Sequence, residues 1–273
     1  MKIAVLSGKG GTGKTFVSIN LACALKKATY VDCDVEEPNG HLFLKPEQVR
    51  KEPVSILLPA FDEQKCDGCR KCVDFCHFNA LLYLRKKPIV FPEICHSCGG
   101  CQLVCKQGAI YEVEHEIGCV DVGMHRSVRC ISGWLHPKEV SGIPVIEKAL
   151  SLANSDAVVI DCPPGSACSV MESVKDADVC LLVVEPSAFG FHNFKMVYEL
   201  VTLLKKPCMI IINKEIEPYQ PLEDFCKEHH VSIGARIPFS KRLAAFTAKG
   251  HIAYEEDEQM RILFDSILSR IQE

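Results

Sequence analysis

Residues 3–15 read IAVLSGKGGTGKT, a short apolar segment that leads directly into a glycine-rich loop. Residues 3–7 are of β-strand type, and residues 8–15 satisfy the pattern G-x-x-x-x-G-K-[ST]. Residues 16–25 then carry apolar side chains at helical spacing. A strand, a glycine-rich loop and a helix in this order are the context that a phosphate-binding loop requires. The stretch therefore predicts a nucleotide-binding α/β domain, and a glycine-rich turn without a ligand is the weaker alternative.

The residues of this loop have separate expected tasks. Its glycines let backbone N–H groups approach the phosphates, and the following helix adds a favourable dipole at its N-terminus. Lys14 is expected to reach the β- and γ-phosphates, and Thr15 to ligate Mg²⁺. The remaining positions expected to bind ATP in this loop are Gly8, Gly10, Gly11, Thr12 and Gly13.

Strands and helices alternate along the rest of the chain. Candidate strands are 3–7, 29–32, 54–58, 157–161, 179–184, 208–212 and 232–237, and candidate helices lie near 15–26, 142–153, 190–205, 219–229, 240–249 and 256–271. This alternation predicts an α/β fold, a doubly wound and mostly parallel sheet of the P-loop NTPase kind. In such sheets ligands bind at the carboxyl ends of the strands.

Acidic residues stand where two of these strands end. Asp32 and Asp34 lie two residues apart, so both are expected to leave one face of a strand end. Asp161 closes an apolar run and is followed by Cys-Pro-Pro-Gly. An aspartate in this position beside a phosphate-binding loop is a Walker B candidate, which holds Mg²⁺ through water next to Thr15. Taken alone, each acid could instead cap a helix.

Eight cysteines between residues 66 and 105 form two copies of the pattern C-x2-C-x2-C-x3-C. The first copy is Cys66, Cys69, Cys72 and Cys76, and the second is Cys95, Cys98, Cys101 and Cys105. Matching positions differ by a constant 29 residues, which indicates an internal duplication. This spacing is typical of the ligands of two [4Fe-4S] clusters, in which the fourth cysteine of each copy ligates the other cluster.

The crossed arrangement assigns four thiolates to each cluster. The first set is Cys66, Cys69, Cys72 and Cys105, and the second is Cys95, Cys98, Cys101 and Cys76. Zinc, one alternative, has no use for the third C-x2 step, and disulfides are the other. The proline that usually follows the fourth cysteine is replaced by His77 and Lys106, which leaves ligation intact and bears on cluster potential and solvent shielding.

The cysteine-rich stretch interrupts the α/β alternation, so we expect an insertion. Residues 1–58 are predicted to form the first part of the P-loop ATPase domain, 59–112 a small α+β bacterial-ferredoxin-like domain, and 113–273 the second part. Because the insert begins soon after Asp34 and ends before Asp161, both its stems are expected to join the strands that carry these acids. A chain of 273 residues with 48% hydrophobic residues can bury the core that this organisation needs.

Charge and composition limit the environment and the partners. Thirty-one basic and 35 acidic residues leave a net charge of −4, which provides no general attraction for nucleic acid or anionic lipid. The N-terminus has the form of a strand and loop rather than a signal peptide, and no apolar run approaches membrane-spanning length. Seventeen cysteines indicate a reducing compartment. We therefore expect a cytoplasmic protein without membrane or nucleic-acid partners.

Four segments together resemble the deviant Walker A ATPases of the MinD, Mrp and ParA superfamily. They are KGGTGKT at 9–15, DCDVEEPN at 32–39, DCPPG at 161–165 and INK at 212–214. More closely, the chain resembles MinD-type ATPases that carry an inserted two-cluster ferredoxin domain, and the resemblance covers essentially the whole chain.

The resemblance implies roles for particular residues and an ATP-sandwich homodimer. Lys9 would reach across the dimer interface to the phosphates of the partner's ATP, and Asp34 would position the attacking water. Asn213 would contact adenine. In the nitrogenase iron protein, a relative, a cysteine seven residues after the corresponding aspartate binds a shared cluster. The matching position here is Cys168, for which a packing role is the alternative.

The expected function is an ATPase in which nucleotide state controls iron–sulfur chemistry, with ATP, Mg²⁺ and two [4Fe-4S] clusters. Three uses remain open. The first is ATP-gated electron transfer to a partner metalloprotein, and the second is assembly or delivery of an iron–sulfur or other metal cofactor, as in Mrp proteins. The third is spatial positioning in the ParA or MinD manner, with the clusters as a sensor.

Overall fold

The computed structural model of the chain describes residues 1–84 and 87–272. Its strands are β1 (Lys2–Leu6), β2 (Thr29–Asp32), β3 (Glu47–Phe61), β4 (Leu81–Leu84), β5 (Lys87–Val90), β6 (Ile110–His125), β7 (Val128–Leu135), β8 (Val158–Asp161), β9 (Val179–Val184), β10 (Cys208–Glu215) and β11 (Ile233–Pro238). Its helices are α1 (Lys14–Ala24), α2 (Gly40–Leu44), α3 (Lys71–Phe75), α4 (Gly100–Leu103), α5 (Ile143–Ser151), α6 (Cys168–Val174), α7 (Ala188–Leu203), α8 (Gln220–Glu228), α9 (Lys241–Ala248), α10 (Ala253–Glu256) and α11 (Glu258–Gln272).

Within the described ranges, nine strands form one sheet in the order β11-β10-β9-β1-β8-β2-β7-β6-β3. The strands from β11 to β7 run parallel. At one edge, β6 runs antiparallel to both of its neighbours, β7 and β3. The predicted α/β fold with a large, mostly parallel sheet is thus confirmed. β4 and β5 pair separately as an antiparallel hairpin between the two cysteine groups.

The central strands of the sheet are buried on both faces, which explains why they read as continuous apolar runs. Successive residues of β1 alternate between two hydrophobic clusters, because side chains along a strand point to opposite faces. Ile3 and Val5 belong to the cluster that includes Phe264 of α11, and Ala4 and Leu6 belong to the cluster that includes Phe194 of α7. The P-loop therefore leaves a strand that is rigidly held in the middle of the molecule.

The strands that lead to and from the cysteine-rich segment differ from the prediction. The expected strand at 54–58 lies within the much longer β3, and β6 and β7 were not predicted from the sequence. The expectation that both stems of the insert join the strands that carry Asp34 and Asp161 is also wrong. The stems are β3 and β6 at the sheet edge, and β7 separates them from β2.

The outer ends of β3 and β6 form a two-stranded ribbon that projects from the sheet. Leu135, the last residue of β7, lies opposite Gly118 of β6, and the β3–β6 ladder continues beyond this level to Phe61 and Ile110. The overhang from Val54 to Phe61 corresponds to about 24 Å of extended chain. Because β7 runs parallel to β2, the ribbon leaves at the carboxyl edge of the sheet, where β1 also enters the P-loop.

In the part of the chain that the structure describes, the helices include none of the length and apolar character needed to cross a membrane.

Candidate nucleotide and iron–sulfur sites

The glycine-rich loop joins β1 to α1, which begins at Lys14. Gly11 and Gly13 have φ angles of 77° and 94°, which glycine adopts without the steric cost that a Cβ would add. A Cβ on Gly13 would also collide with the Asn213 amide. The local sequence therefore permits a tight loop whose backbone closely approaches both the facing side chain and a ligand.

A cavity of about 1010 Å³ opens over this loop at the carboxyl edge of the sheet. Most of the residues expected to bind ATP line it together: Lys9, Gly10, Gly11, Thr12, Gly13, Lys14, Thr15, Asp34 and Asn213. Gly8 does not line the cavity and packs against the backbone of Asn193. Pro238, Phe239 and Leu243 add an apolar wall, a surface suited to a flat aromatic base.

Asp161 lies fully buried beneath the cavity and accepts hydrogen bonds from three side chains. Lys14 Nζ is 2.6 Å from Asp161 Oδ1, Ser18 Oγ is 3.1 Å from the same oxygen, and the Tyr30 hydroxyl is 2.8 Å from Oδ2. Burial opposes the charge of Lys14, but the nearby carboxylates of Asp161 and Asp32 raise its pKa above the ordinary value. Lys14 and Asp161 thus form a buried ion pair directly below the phosphate-binding loop.

Asp32 fastens the loop that follows β2. Its Oδ2 accepts hydrogen bonds from the backbone N–H groups of Asn39 at 3.1 Å and Gly40 at 2.9 Å, and its Oδ1 accepts one from Asp34 at 3.2 Å. Burial and the nearby Asp161 carboxylate raise the pKa of Asp32 to about 7. The loop at 33–39 carries Asp34 to the cavity wall, where burial raises the pKa of Asp34 to about 6.

Lys9 is held at the rim of the cavity. Its Nζ is 2.9 Å from Glu185 Oε2 and 5.5 Å from the centroid of the Phe189 ring. The hydrogen bond from Lys9 lowers the pKa of Glu185. The Lys9 side chain remains about one-quarter exposed. The role across a dimer interface that the resemblance implies for it stays a prediction.

Asn213 contacts the P-loop itself. From the buried end of β10, its Nδ2 donates a hydrogen bond of 2.6 Å to the Thr12 carbonyl, and the adjacent Lys214 donates one of 2.6 Å to the Gly11 carbonyl. These two bonds tie the loop to β10 across the sheet. The expected adenine contact of Asn213 stays a prediction, although Asn213 does line the cavity.

The eight patterned cysteines surround two separate cavities near the end of the ribbon. One is lined by Cys66, Cys69, Cys72 and Cys105, and the other by Cys76, Cys95, Cys98 and Cys101. Each cavity therefore combines three cysteines of one sequence copy with the fourth of the other, as the crossed assignment requires. Cys69 and Cys98 are exposed, and the other six are half-buried.

Each of the two cavities presents four cysteine side chains as possible metal donors. Burial raises the pKa of Cys72, Cys95 and Cys101, the last to about 11. Over residues 1–84 and 87–272, no three His, Cys, Asp or Glu side chains converge closely enough to hold one metal ion. Four cysteines in each cavity are the number of donors that the predicted [4Fe-4S] clusters require, and the type of cluster stays a prediction.

Several residues of the site were not singled out from the sequence. Ser18 and Glu185 carry no local signal, because their partners are distant in the chain. Tyr30 did offer one: a phenol two residues before Asp32 in a buried strand shares its face. Cys168 is exposed at the start of α6 and does not line the nucleotide cavity.

The family described as the CobQ/CobB/MinD/ParA nucleotide binding domain matches residues 3–253. An uncharacterized protein of Methanocaldococcus jannaschii is 31% identical over 223 residues, covering 79% of this chain and 78% of that protein. A protein of the same organism named iron-sulfur cluster carrier protein is 24% identical over 292 residues, covering 100% of this chain and 84% of that protein.

Among solved structures, the cell division ATPase MinD of Pyrococcus furiosus is similar with a TM-score of 0.61 and 19% identity, covering 99% of this chain and 98% of that one. This likeness shows the shared fold, and the match over residues 3–253 shows the family. The chain belongs to the CobQ/CobB/MinD/ParA family of nucleotide-binding domains.

Proposed function

We propose that the protein is a dimeric, MgATP-hydrolysing iron–sulfur protein that couples nucleotide state to electron transfer to a partner metalloprotein. The proposal rests on the position of the nucleotide cavity and the cysteine-rich ribbon at the same edge of the sheet. The nucleotide cavity opens at the carboxyl edge of the sheet, and the ribbon that carries two four-cysteine cavities leaves from that same edge. A cytoplasmic location follows from the reducing conditions that such thiolates need.

The proposed organisation is a deviant Walker A ATPase domain, 1–58 and 113–273, with a ferredoxin-like insert at 59–112. The P-loop residues from Gly8 to Thr15 bind the phosphates, and Thr15 and Asp161 hold Mg²⁺. Asp34 positions the attacking water, and Lys9 serves the partner protomer. The eight cysteines hold two [4Fe-4S] clusters, which supply one-electron redox chemistry.

Hydrolysis and dimerisation can be separated by replacing Asp34. Asp34→Ala should lower the hydrolysis rate by about 10²-fold or more, since water activation is lost, while MgATP stays bound through the intact P-loop. The γ-phosphate that has not been hydrolysed should then hold two protomers together. Sedimentation velocity with MgATP should show a dimer for this variant and a monomer for Lys14→Ala. An Asp34→Ala protein that binds MgATP and remains monomeric would contradict the ATP-sandwich dimer.

Nucleotide state and cluster redox state should affect each other reciprocally, because linkage makes the two effects equal in free energy. A coupling of about 1–3 kcal/mol corresponds to a change of about 5- to 150-fold in MgATP affinity on reduction. We expect anaerobic titrations of dithionite-reduced and oxidised protein to differ by this factor. The structural route runs from the Asp34 loop and β2 through β7 to the ribbon, since β2 does not touch β6.

A cluster-free control isolates this coupling. A Cys66→Ser/Cys95→Ser double variant, which removes one ligand from each proposed cluster, should bind MgATP through the intact P-loop but lose the redox-dependent difference in affinity. Equal affinities in both redox states of the wild-type protein would make the insert a passive addition. That result would favour the alternative of a ParA- or MinD-like positioning protein.

The second candidate function is delivery of an iron–sulfur cluster. It is favoured by the relative named iron-sulfur cluster carrier protein and by the exposure of Cys69 and Cys98, one in each cavity. Mixing the holoprotein with an apo-ferredoxin and MgATP distinguishes the two candidates. Electron transfer leaves the iron content of the protein unchanged, whereas delivery moves iron and sulfide to the acceptor.

A further inference from the structure

Tyr30 connects the two acids at the ends of neighbouring parallel strands. Asp32 of β2 lies directly opposite Asp161 of β8. The fully buried Tyr30 hydroxyl is 2.8 Å from Asp161 Oδ2 and 3.3 Å from Asp32 Oδ2. A phenol has one proton to donate, so it can serve only one of these acceptors fully at a time. The hydroxyl therefore has two discrete arrangements, one directed at each carboxylate.

Asp32, the second acceptor of the Tyr30 hydroxyl, also anchors the end of the loop at 33–39. The oxygen of Asp32 that faces Tyr30 also accepts the backbone N–H groups of Asn39 and Gly40. Gly40 begins α2 directly over Tyr30, where any larger residue would collide with the phenol. Donation by Tyr30 to Asp32 therefore competes with these two backbone bonds for the same oxygen, while donation to Asp161 leaves them undisturbed.

We propose that Tyr30 is a positioning residue that transmits the state of Asp161 to the loop at 33–39, which carries Asp34. The proposal rests on the proposed function, in which Asp161 faces Mg²⁺ and Lys14 turns to the phosphates. Once Asp161 exchanges its Lys14 partner, the Tyr30 hydroxyl changes which of the two carboxylates, Asp161 or Asp32, accepts its hydrogen bond. The anchoring of Asn39 and Gly40 changes with it, and Asp34 moves relative to the cavity.

A tyrosine with a purely structural role would also form a hydrogen bond through its buried hydroxyl. The test therefore needs a measurement that reports on the position of the loop at 33–39. Trp134 supplies one, because it is the only tryptophan in the sequence and its ring centroid lies 5.0 Å from that of His41 in α2. A movement of the loop and α2 changes the ring environment of Trp134. Protein labelled with 5-fluorotryptophan therefore has one fluorine resonance that reports on this element.

The experiment compares the ¹⁹F resonance in ATP with EDTA and in MgATP, for wild type and for Tyr30→Phe. We expect a Mg²⁺-dependent shift in the wild type and its loss in Tyr30→Phe, with ATP still bound. Because a hydrogen bond to a charged group is removed, kcat should fall about 10- to 100-fold with little change in the KM for ATP. Tyr254→Phe, which removes a hydroxyl 3.0 Å from Asp265 at the surface, is the matched control and should behave as wild type.

A Tyr30→Phe protein that retains the wild-type shift, or a wild type that hydrolyses ATP without any shift, would overturn the proposal. Hydrogen exchange at the amides of Asn39 and Gly40 in the wild type gives a second test that needs no variant. Their protection should differ between ATP with EDTA and MgATP, and equal protection would also overturn it. A wild type without ATPase activity would contradict the proposed function instead, and the Mg²⁺-dependent shift could still be recorded with MgADP.

Discussion

Anaerobically purified protein is expected to contain about eight irons per chain in two [4Fe-4S] clusters with crossed ligation. Two double variants should reveal the crossing. Cys69→Ala/Cys105→Ala removes two ligands from the same cavity and should leave one intact cluster. Cys69→Ala/Cys76→Ala removes one ligand from each cavity and should leave none. Iron and sulfide analysis with EPR of the reduced protein counts the intact clusters.

The opposite pattern would show sequential ligation, in which each sequence copy holds its own cluster. About four irons per chain in the wild type, or zinc in their place, would contradict the assignment altogether. The two double variants are matched, because each removes two thiols from the same small region and shares Cys69. A difference between them therefore reflects which sulfurs belong together rather than a general loss of folding.

Replacement of Lys14 by alanine should have the largest effect on nucleotide chemistry. Lys14 is expected to supply the charge that meets the β- and γ-phosphates, and loss of one such preorganised donor typically lowers kcat by about 10²–10³-fold. Nucleotide affinity should fall as well, below what calorimetric titration with MgATP detects. The fold should survive, because Asp161 keeps its hydrogen bonds from Ser18 and Tyr30.

Lys214→Ala is the matched control for this variant. It also removes an ammonium group beside the P-loop, but Lys214 is exposed and donates to the Gly11 carbonyl rather than facing the buried acid. We expect only a few-fold change in affinity, in line with the loss of one exposed hydrogen bond. Circular dichroism checks that both proteins are folded. Near-wild-type binding by Lys14→Ala would contradict the assigned role of the P-loop.

Most of the strands that were predicted correctly are buried on both faces of the sheet. Strands 29–32 and 179–184 are buried on both faces, so their interior residues are apolar and the pattern is visible locally. β6 was missed because it leaves the sheet partway along its length. Its outer half carries glutamates at 112, 114 and 116 and exposes Tyr111 and Val113, so this largely solvated part of the strand resembles a loop in composition.

The sequence by itself determined the features that depend on neighbouring residues. The P-loop and the two cysteine patterns are contiguous motifs, because glycine conformations and ligand spacing act over a few residues. Only the tertiary structure decided which distant groups meet. The Lys14–Asp161 pair joins residues 147 positions apart, Tyr30 reaches both acids across two strands, and β7 separates the insert from β2. Such contacts follow from strand order and register, which pair segments across the sheet and leave no trace in local periodicity.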